Sequence, residues 1–508
     1  MFCMTSGQLA LSDGEMESSH DNHIIKEENN GDSDARIGVD DDHEVKLERR
    51  LSLLDGIMIN IGVIIGSGIF ISPKGVLAGV DSVGATLCIW LAGGVFSVFG
   101  AICYSELGTM IPASGGTYTY VRVIFGDLWG FLSCWSLTLF SQSIANAVIA
   151  LMISKYCLEP FYPDSECPPP RVAVKLLAVA AVLIITFVNC WDVKLSSRLQ
   201  NVTSFTKLVG LGVIIFMGVV KLANGHTENF QNPFASTNIQ GLAPAFYACL
   251  FSYAGWQSLN SVVEELKNPS RNLPIAVIVP PTVATVVNTL TNVAYFAVLS
   301  SSELLRSEAV AVSFAEQALG KFSAVVYICV VLSCIGSLNG SIISHSRTYF
   351  IGAREGHLPR FFVQVGIRHK TPLLCVVTSS LVTIALCYVD SIFLLINVSR
   401  FLNCFFFGLL ALGILYLRIK EPERPRSFHV TFIIPVIFLM MCSFLTGFSF
   451  WGAPMDSLIG VGIILSGIPL YYIRGRCIIR ASWVTRLYRR TIVFLQKVTF
   501  VSPERINQ

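Results

Sequence analysis

Charge is scarce in this chain of 508 residues. Asp, Glu, Lys and Arg together make up 14% of it and hydrophobic residues 53%, whereas a soluble domain carries about 25% charged residues. Mean hydropathy is +0.63. A water-soluble globule is therefore excluded, and an integral membrane protein is the class that remains. Also missing are a nucleophile–base constellation, a cluster of metal ligands and a phosphate-binding glycine loop. No catalytic residue, metal, cofactor or nucleic-acid partner is expected, and the chain does not read as an enzyme. The 15 cysteines lie almost all inside apolar runs as small buried residues, without the paired spacing of a zinc site or a disulfide framework. A cleaved signal is not expected either. Residues 1–50 are polar and acidic ("GVDDDHEVKLERR") and read as a disordered tail, and the first apolar run starts near Leu53, too late and too long for a signal.

What is present is a series of apolar runs, most of them long enough to cross a hydrocarbon core of about 30 Å. Twelve spans are expected, at about 53–79, 84–110, 126–157, 171–192, 200–223, 241–264, 273–299, 322–352, 373–389, 391–417, 431–451 and 455–474. An even number puts both termini on one side. The loops on that side carry Arg49, Arg50, Arg122, Lys194, Arg198, Lys267, Arg271, Arg354, Arg418, Lys420 and many more, whereas the opposite loops carry few, such as Arg171, Lys221, Arg306 and Lys321. Basic residues stay inside, so both termini are expected in the cytoplasm. The expected division is a disordered acidic cytoplasmic tail (1–50), a transporter core of ten spans (51–420), two further spans (421–475) and a cytoplasmic amphipathic segment (476–508) on the inner leaflet.

Two spans interrupt themselves. "IGVIIGSGIFISP" (Ile61 to Pro73) sets glycines and a serine in the middle of span one, and "ACLFSYAGWQSLN" breaks span six around Ala254 and Gly255. Unwound backbone is tolerated in a membrane only where it lines a cavity. Spans one and six head two sets of five, and spans three and eight, the third members, are both unusually polar ("SQSIANAVIA", "GSLNGSIISHSR"). Broken helices at matching positions point to an inverted-repeat transporter with its site at the midplane. The amides near Ser67 and Gly68, with the Ser67 hydroxyl, suit a carboxylate. Carbonyls near Ile64, Phe251 and Ala254 suit an ammonium. An α-amino acid carries both groups.

The motifs "IIGSGIFISPKGV", "CYSELGTMIPASGGTYTY", "SYAGW", "VVEELKNPSRNLPIAV" and "SCIGSLNGSIISHSRTYFIGAREGHLP" resemble the light chains of heteromeric amino acid transporters, the L-type branch of the amino acid–polyamine–organocation superfamily. The resemblance covers about residues 48–500. It implies an all-α membrane protein of twelve transmembrane helices, LeuT-like, with a five-plus-five inverted repeat and discontinuous helices one and six. It further implies obligatory exchange of L-amino acids at the plasma membrane and a disulfide to a single-span glycoprotein heavy chain. Carried over by residue, carboxylate contacts fall on Ser67 and Gly68, ammonium contacts on the carbonyls of Ile64, Phe251 and Ala254, and the aromatic gate on Phe251. The bridging cysteine falls on Cys167 in "FYPDSECPPP", with Cys157 as its competitor. Lys207, in "NVTSFTKLVGLGVI", is expected to bridge spans five and one, where sodium-coupled relatives bind a cation, so sodium-independent exchange is expected. Snorkelling of Lys207 toward the cytoplasm is the alternative.

The side-chain end departs from the resemblance. Gln257 follows "GW", where large-neutral members carry Asn and cationic-plus-neutral members often Asp. In "INVSRFLNCFFFG", Ser399 and Cys404 replace aromatics, which widens the pocket, and Asn403 is expected to help line it. Arg400 is a charge inside a span. Facing the substrate it favours anionic side chains and repels lysine; facing elsewhere it pairs with a neighbour and leaves choice unaffected. The overall expectation is exchange of neutral and possibly cationic amino acids. The rival readings are a monomeric cationic carrier, for which fourteen spans and no outer bridging cysteine are expected, and a transport-dead receptor.

Overall fold

The computed structural model of the chain describes residues 51–162, 169–234, 237–307, 309–366, 372–480 and 501–503. The expected tail (1–50), most of the amphipathic segment (481–500) and Cys167 lie outside the described residues. Within them the chain is helical apart from one short antiparallel pair, Gln364–Gly366 with Val501–Pro503. Nine helices are long and apolar enough to cross a membrane, and a tenth crossing is the bent pair Leu53–Ile64 and Gly68–Val80, which meet at 47°. Two shorter apolar helices, Leu242–Ser252 and Leu373–Leu386, complete the twelve as spans six and nine.

The spans begin where the sequence supplies caps. Span one starts with a capping box in which Asp55 N donates to Ser52 Oγ (3.3 Å) and Ser52 N donates to Asp55 Oδ2 (2.9 Å), satisfying amides that the helix leaves free. Ser82 caps span two (Val83–Met110) and Ser391 caps span ten (Ile392–Lys420) through the hydroxyl alone, each accepting from an amide three residues on. Span seven (Pro269–Val298) opens with proline at its first position, where the missing N–H costs nothing. Span three (Asp127–Leu158) is α-helical except at Cys134–Ser141, which is wound as a π-helix. Short helices at Thr117–Phe125, Ser301–Arg306 and Val310–Leu319 lie in the connections.

Four of the five members of each set pack on their counterparts in the other. Span one packs on span six, span two on span seven, span three on span eight (Ser323–Arg354) and span four (Arg171–Trp191) on span nine. Four like pairs in contact are what an inverted repeat requires. The breaks themselves interlock. A Cβ on Gly68 would lie 2.4 Å from Ser252 Cα, and one on Gly255 would lie 2.4 Å from Val63 Cγ1. Gly255 also has φ +108°, a conformation that costs other residues a clash.

At the end of the bundle where span one begins, ion pairs tie the elements together. Arg122, in the helix before span three, pairs with Glu355 just after span eight and with Asp127 at 3.0 Å. Ser114 N donates to Glu264 Oε1 at 2.8 Å, which ties the start of the segment after span six to the loop after span two. Arg418 of span ten pairs with Glu106 of span two at 2.6 Å, and Glu106 is only 1% exposed. Arg418 also donates to the Val430 carbonyl at 2.7 Å. Removing one partner of such a pair strands the other charge, at a cost of about 3–5 kcal/mol. Arg418→Met should therefore lower the melting temperature of the purified protein by several degrees, whereas R424M, at an exposed pair with Glu421, should leave it nearly unchanged. Equal melting curves would remove Glu106–Arg418 from the fold's supports.

Candidate functional site

The half-helix Leu53–Ile64 ends where glycines begin, and the next half starts at Gly68. A helix beginning there leaves the amides of its first turn without acceptors inside the helix. Ser67, at the cap position, makes no capping bond with its own hydroxyl and is 3% exposed. In span six the α-helix stops at Ser252, and residues Ser258–Glu265 continue in tighter 3-10 winding. Between the two breaks lies a cavity of ≈ 120 Å³. Ile64, Ser67, Gly68, Phe251, Ala254, Gln257 and Asn403 all line it, so every substrate-contact residue named from the sequence is brought to one place. Arg400 lines it too.

The breaks are held by groups outside the cavity. Asn60 Nδ2 donates to the Trp256 carbonyl (3.2 Å), in the unwound stretch of span six, and to the Ala276 carbonyl (3.0 Å), which has no helical donor because Pro280 stands four residues on. Tyr253 OH donates to the Trp90 carbonyl at 2.9 Å. The Trp256 ring packs edge-on against Tyr104 (4.9 Å) and against Phe407 (5.1 Å). Tyr253 and Trp256 are thus supports and core at once. The Phe251 carbonyl accepts from Ala254 N at 3.4 Å and from Tyr253 N, contacts of a helix end rather than of a continuing ladder.

Lys207 is 1% exposed, and its Nζ donates to the Gly62 carbonyl at 2.8 Å. Span five begins at Val193 rather than at 200, so Lys207 lies about four turns along it. That depth and burial exclude the snorkelling alternative, and the bond joins spans five and one as expected. Arg400 is 7% exposed and has no carboxylate in ion-pair range among the described residues. Its Nη2 donates to Ser399 Oγ at 3.2 Å, and its guanidinium carbon lies 5.7 Å from the centroid of the Phe251 ring. The reading in which Arg400 is neutralised by a neighbour is therefore set aside. His345 is hydrogen-bonded to Asn146 at 3.2 Å, which ties span eight to span three. Cys157 carries a free thiol and is half-buried.

The sequence reading left out Ser141, Gln142, Ser337, Ser341 and Ser344, which face the same cavity. Their signal was the polarity of spans three and eight; what that polarity could not supply was which members point inward. Asn403 Nδ2 donates to Ser141 Oγ (2.6 Å) and to the Ser399 carbonyl (2.7 Å), so spans three and ten are tied together beneath the side-chain end.

A chamber between two abutting helix breaks, offering amides on one wall and carbonyls on another, can hold a zwitterion. A family model described as "Amino acid permease" matches residues 51–473. The chain belongs to the amino acid permease family. This permease is similar to the Cystine/glutamate transporter of Homo sapiens, 40% identical over 91% of this chain and 92% of that protein. It is similar to the Large neutral amino acids transporter small subunit 2 of Rattus norvegicus, 41% identical over 84% of this chain and 81% of that one. It is also similar to the Asc-type amino acid transporter 1 of Mus musculus, 42% identical over 84% and 82%. The permease is thus a multi-pass membrane transporter of the light-chain type and not an enzyme. Amino acids are the substrates that the family description names.

Proposed function

We propose that this permease exchanges amino acids across the plasma membrane without sodium, as the light subunit of a disulfide-linked pair, with both termini in the cytoplasm. The observation that carries the reading is the placement of both helix breaks on one cavity. The substrate carboxylate takes the amides of Ser67 and Gly68. Its ammonium takes the carbonyls of Ile64, Phe251 and Ala254, while Gln257 and Asn403 meet the side chain. The Gln257 Oε1 is buried without a partner, which suits an oxygen waiting for a donor.

Phe251 closes over the bound molecule, and spans one, two, six and seven rock against the remaining core. Exchange is favoured over net flow because the empty site leaves its helix ends without counter-charges. Lys207 supplies a permanent cation beside span one, in place of a coupling ion. Residues 51–420 form the transporter core, 421–475 add spans eleven and twelve, and the segments 1–50 and 476–508 are cytoplasmic. The excess of Lys and Arg on one side supports that orientation. Cys167, placed before prolines in the loop on the opposite side, takes the heavy chain's cysteine.

The test is uptake of labelled amino acids by cells co-expressing the permease and a glycoprotein heavy chain, with sodium present or replaced by choline. Equal uptake in both, accelerated by internal amino acid, is the expected result. Uptake that requires sodium, or none of any amino acid, would overturn the proposal. Cys167→Ser should convert the high-molecular-weight band on a non-reducing gel to the monomer position. A band that persists would move the link elsewhere, with Cys157 the next residue to replace.

A further inference from the structure

We propose that Arg400 makes the side-chain end of the cavity selective for amino acids that carry a second carboxylate, such as glutamate and aspartate. The proposal rests on the exchange reading and adds to it the class of substrate.

A guanidinium carries a permanent charge and five N–H donors. Arg400 has left water almost entirely, yet it spends one donor on a neutral hydroxyl and its Nε is buried without any partner. Its other contact is the face of Phe251, which compensates only part of the lost hydration. The carboxylate of Glu106 is engaged by Arg418, and among the described residues no Asp or Glu lines the cavity. A buried cation inside a span is costly and ordinarily faces a partner or a water-filled path. The partner that would complete this one is an anion arriving in the cavity.

The α-carboxylate is not that anion, because the amides near Ser67 and Gly68 already provide for it on the span-one wall. Arg400 stands on span ten, with Phe251 against it. It also borders a smaller recess shared with Trp256, Gln257, Asn403, Cys404 and Phe407. A side-chain carboxylate reaching that side meets the guanidinium fork, with Gln257 beside it to donate. Such charge-assisted, forked bonds are shorter and stronger than neutral ones. Because the cation rests on the ring of Phe251, the arrival of the anion and the closing of that ring are coupled.

The experiment compares near-isosteric pairs in cells co-expressing the heavy chain: glutamate against glutamine, and aspartate against asparagine, as inhibitors of labelled uptake and as labelled substrates. The wild-type permease should prefer the acidic member of each pair by about tenfold or more, the size of one charge-assisted bond. Arg400→Gln should erase that preference, lowering acidic uptake by about tenfold more than uptake of the amide member, and Arg400→Lys should restore part of it. A wild-type permease that ignores glutamate and aspartate while moving neutral amino acids would overturn the proposal and leave the exchange reading standing. So would an equal loss of acidic and neutral uptake in Arg400→Gln with surface protein unchanged, since that would place Arg400 on the shared α-carboxylate. If no amino acid is moved, the exchange reading itself fails and this inference with it. The wild-type comparison needs no variant, so a misfolded Arg400→Gln would not rescue the idea.

Discussion

Replacing Lys207 by alanine is expected to reduce exchange to less than about a tenth of wild type, with the amount of permease at the cell surface unchanged. The lost bond is charge-assisted and worth about 1.5–3 kcal/mol, which is a tenfold to hundredfold effect if it is needed in every transport cycle. Lys207 Nζ holds the Gly62 carbonyl, which belongs to the last turn before span one unwinds. Without it, that half-helix loses its tie to span five, and the positive charge beside the break is gone. The fold itself should survive, because Lys207 pairs with no carboxylate and its removal strands no opposite charge. Surface biotinylation beside labelled uptake separates the two effects. Unchanged uptake in Lys207→Ala would refute the coupling role.

A second large effect is expected from a single methyl group. In Gly68→Ala the new Cβ would lie 2.4 Å from Ser252 Cα and 2.9 Å from its amide nitrogen. Those are backbone atoms, so no rotamer relieves the contact, and the two breaks must separate. Span six then loses its registry with span one, and the amides and carbonyls that grip the substrate no longer share a cavity. Transport should fall at least about a hundredfold, because misplacing a binding group by roughly an ångström has that scale of effect. The matched control is Gly212→Ala in span five, where a Cβ meets nothing within 4 Å and a helix interior gains slightly from alanine. Uptake by Gly68→Ala equal to that of Gly212→Ala would mean that the breaks do not need their close approach.

The number of spans and the positions of both breaks were legible because they rest on strong, local signals: run length, and glycine where a helix would otherwise continue. The contact residues of the cavity followed from the break, since unwound backbone has little choice of neighbour. Lys207 stood out as a cation inside an apolar run, and its bridging of spans five and one was what the family resemblance implied. The helix starts earlier than expected, because residues 193–199 ("VKLSSRL") are too polar to read as part of a span although they are helical. The short helices at 117–125 and 310–319 escaped notice because they cross nothing. The 3-10 continuation of span six was also invisible, since its residues suit either winding. Arg400 marks the limit of the method. Its oddity was plain from the letters, but whether it met a carboxylate depended on packing between elements hundreds of residues apart.

The π-wound stretch Cys134–Ser141 carries a consequence for the rest of span three. Such a bulge holds one residue more than ordinary winding needs, and each residue of an α-helix turns the chain by about 100°. Deleting a single residue there would let the regular ladder resume, and the rod beyond it would swing round by that angle. Gln142, Ala145 and Ile149, which now look onto the chamber, would look into scaffold or lipid instead. The bulge thus acts as an indexing device, setting which stripe of the downstream helix is presented to cargo.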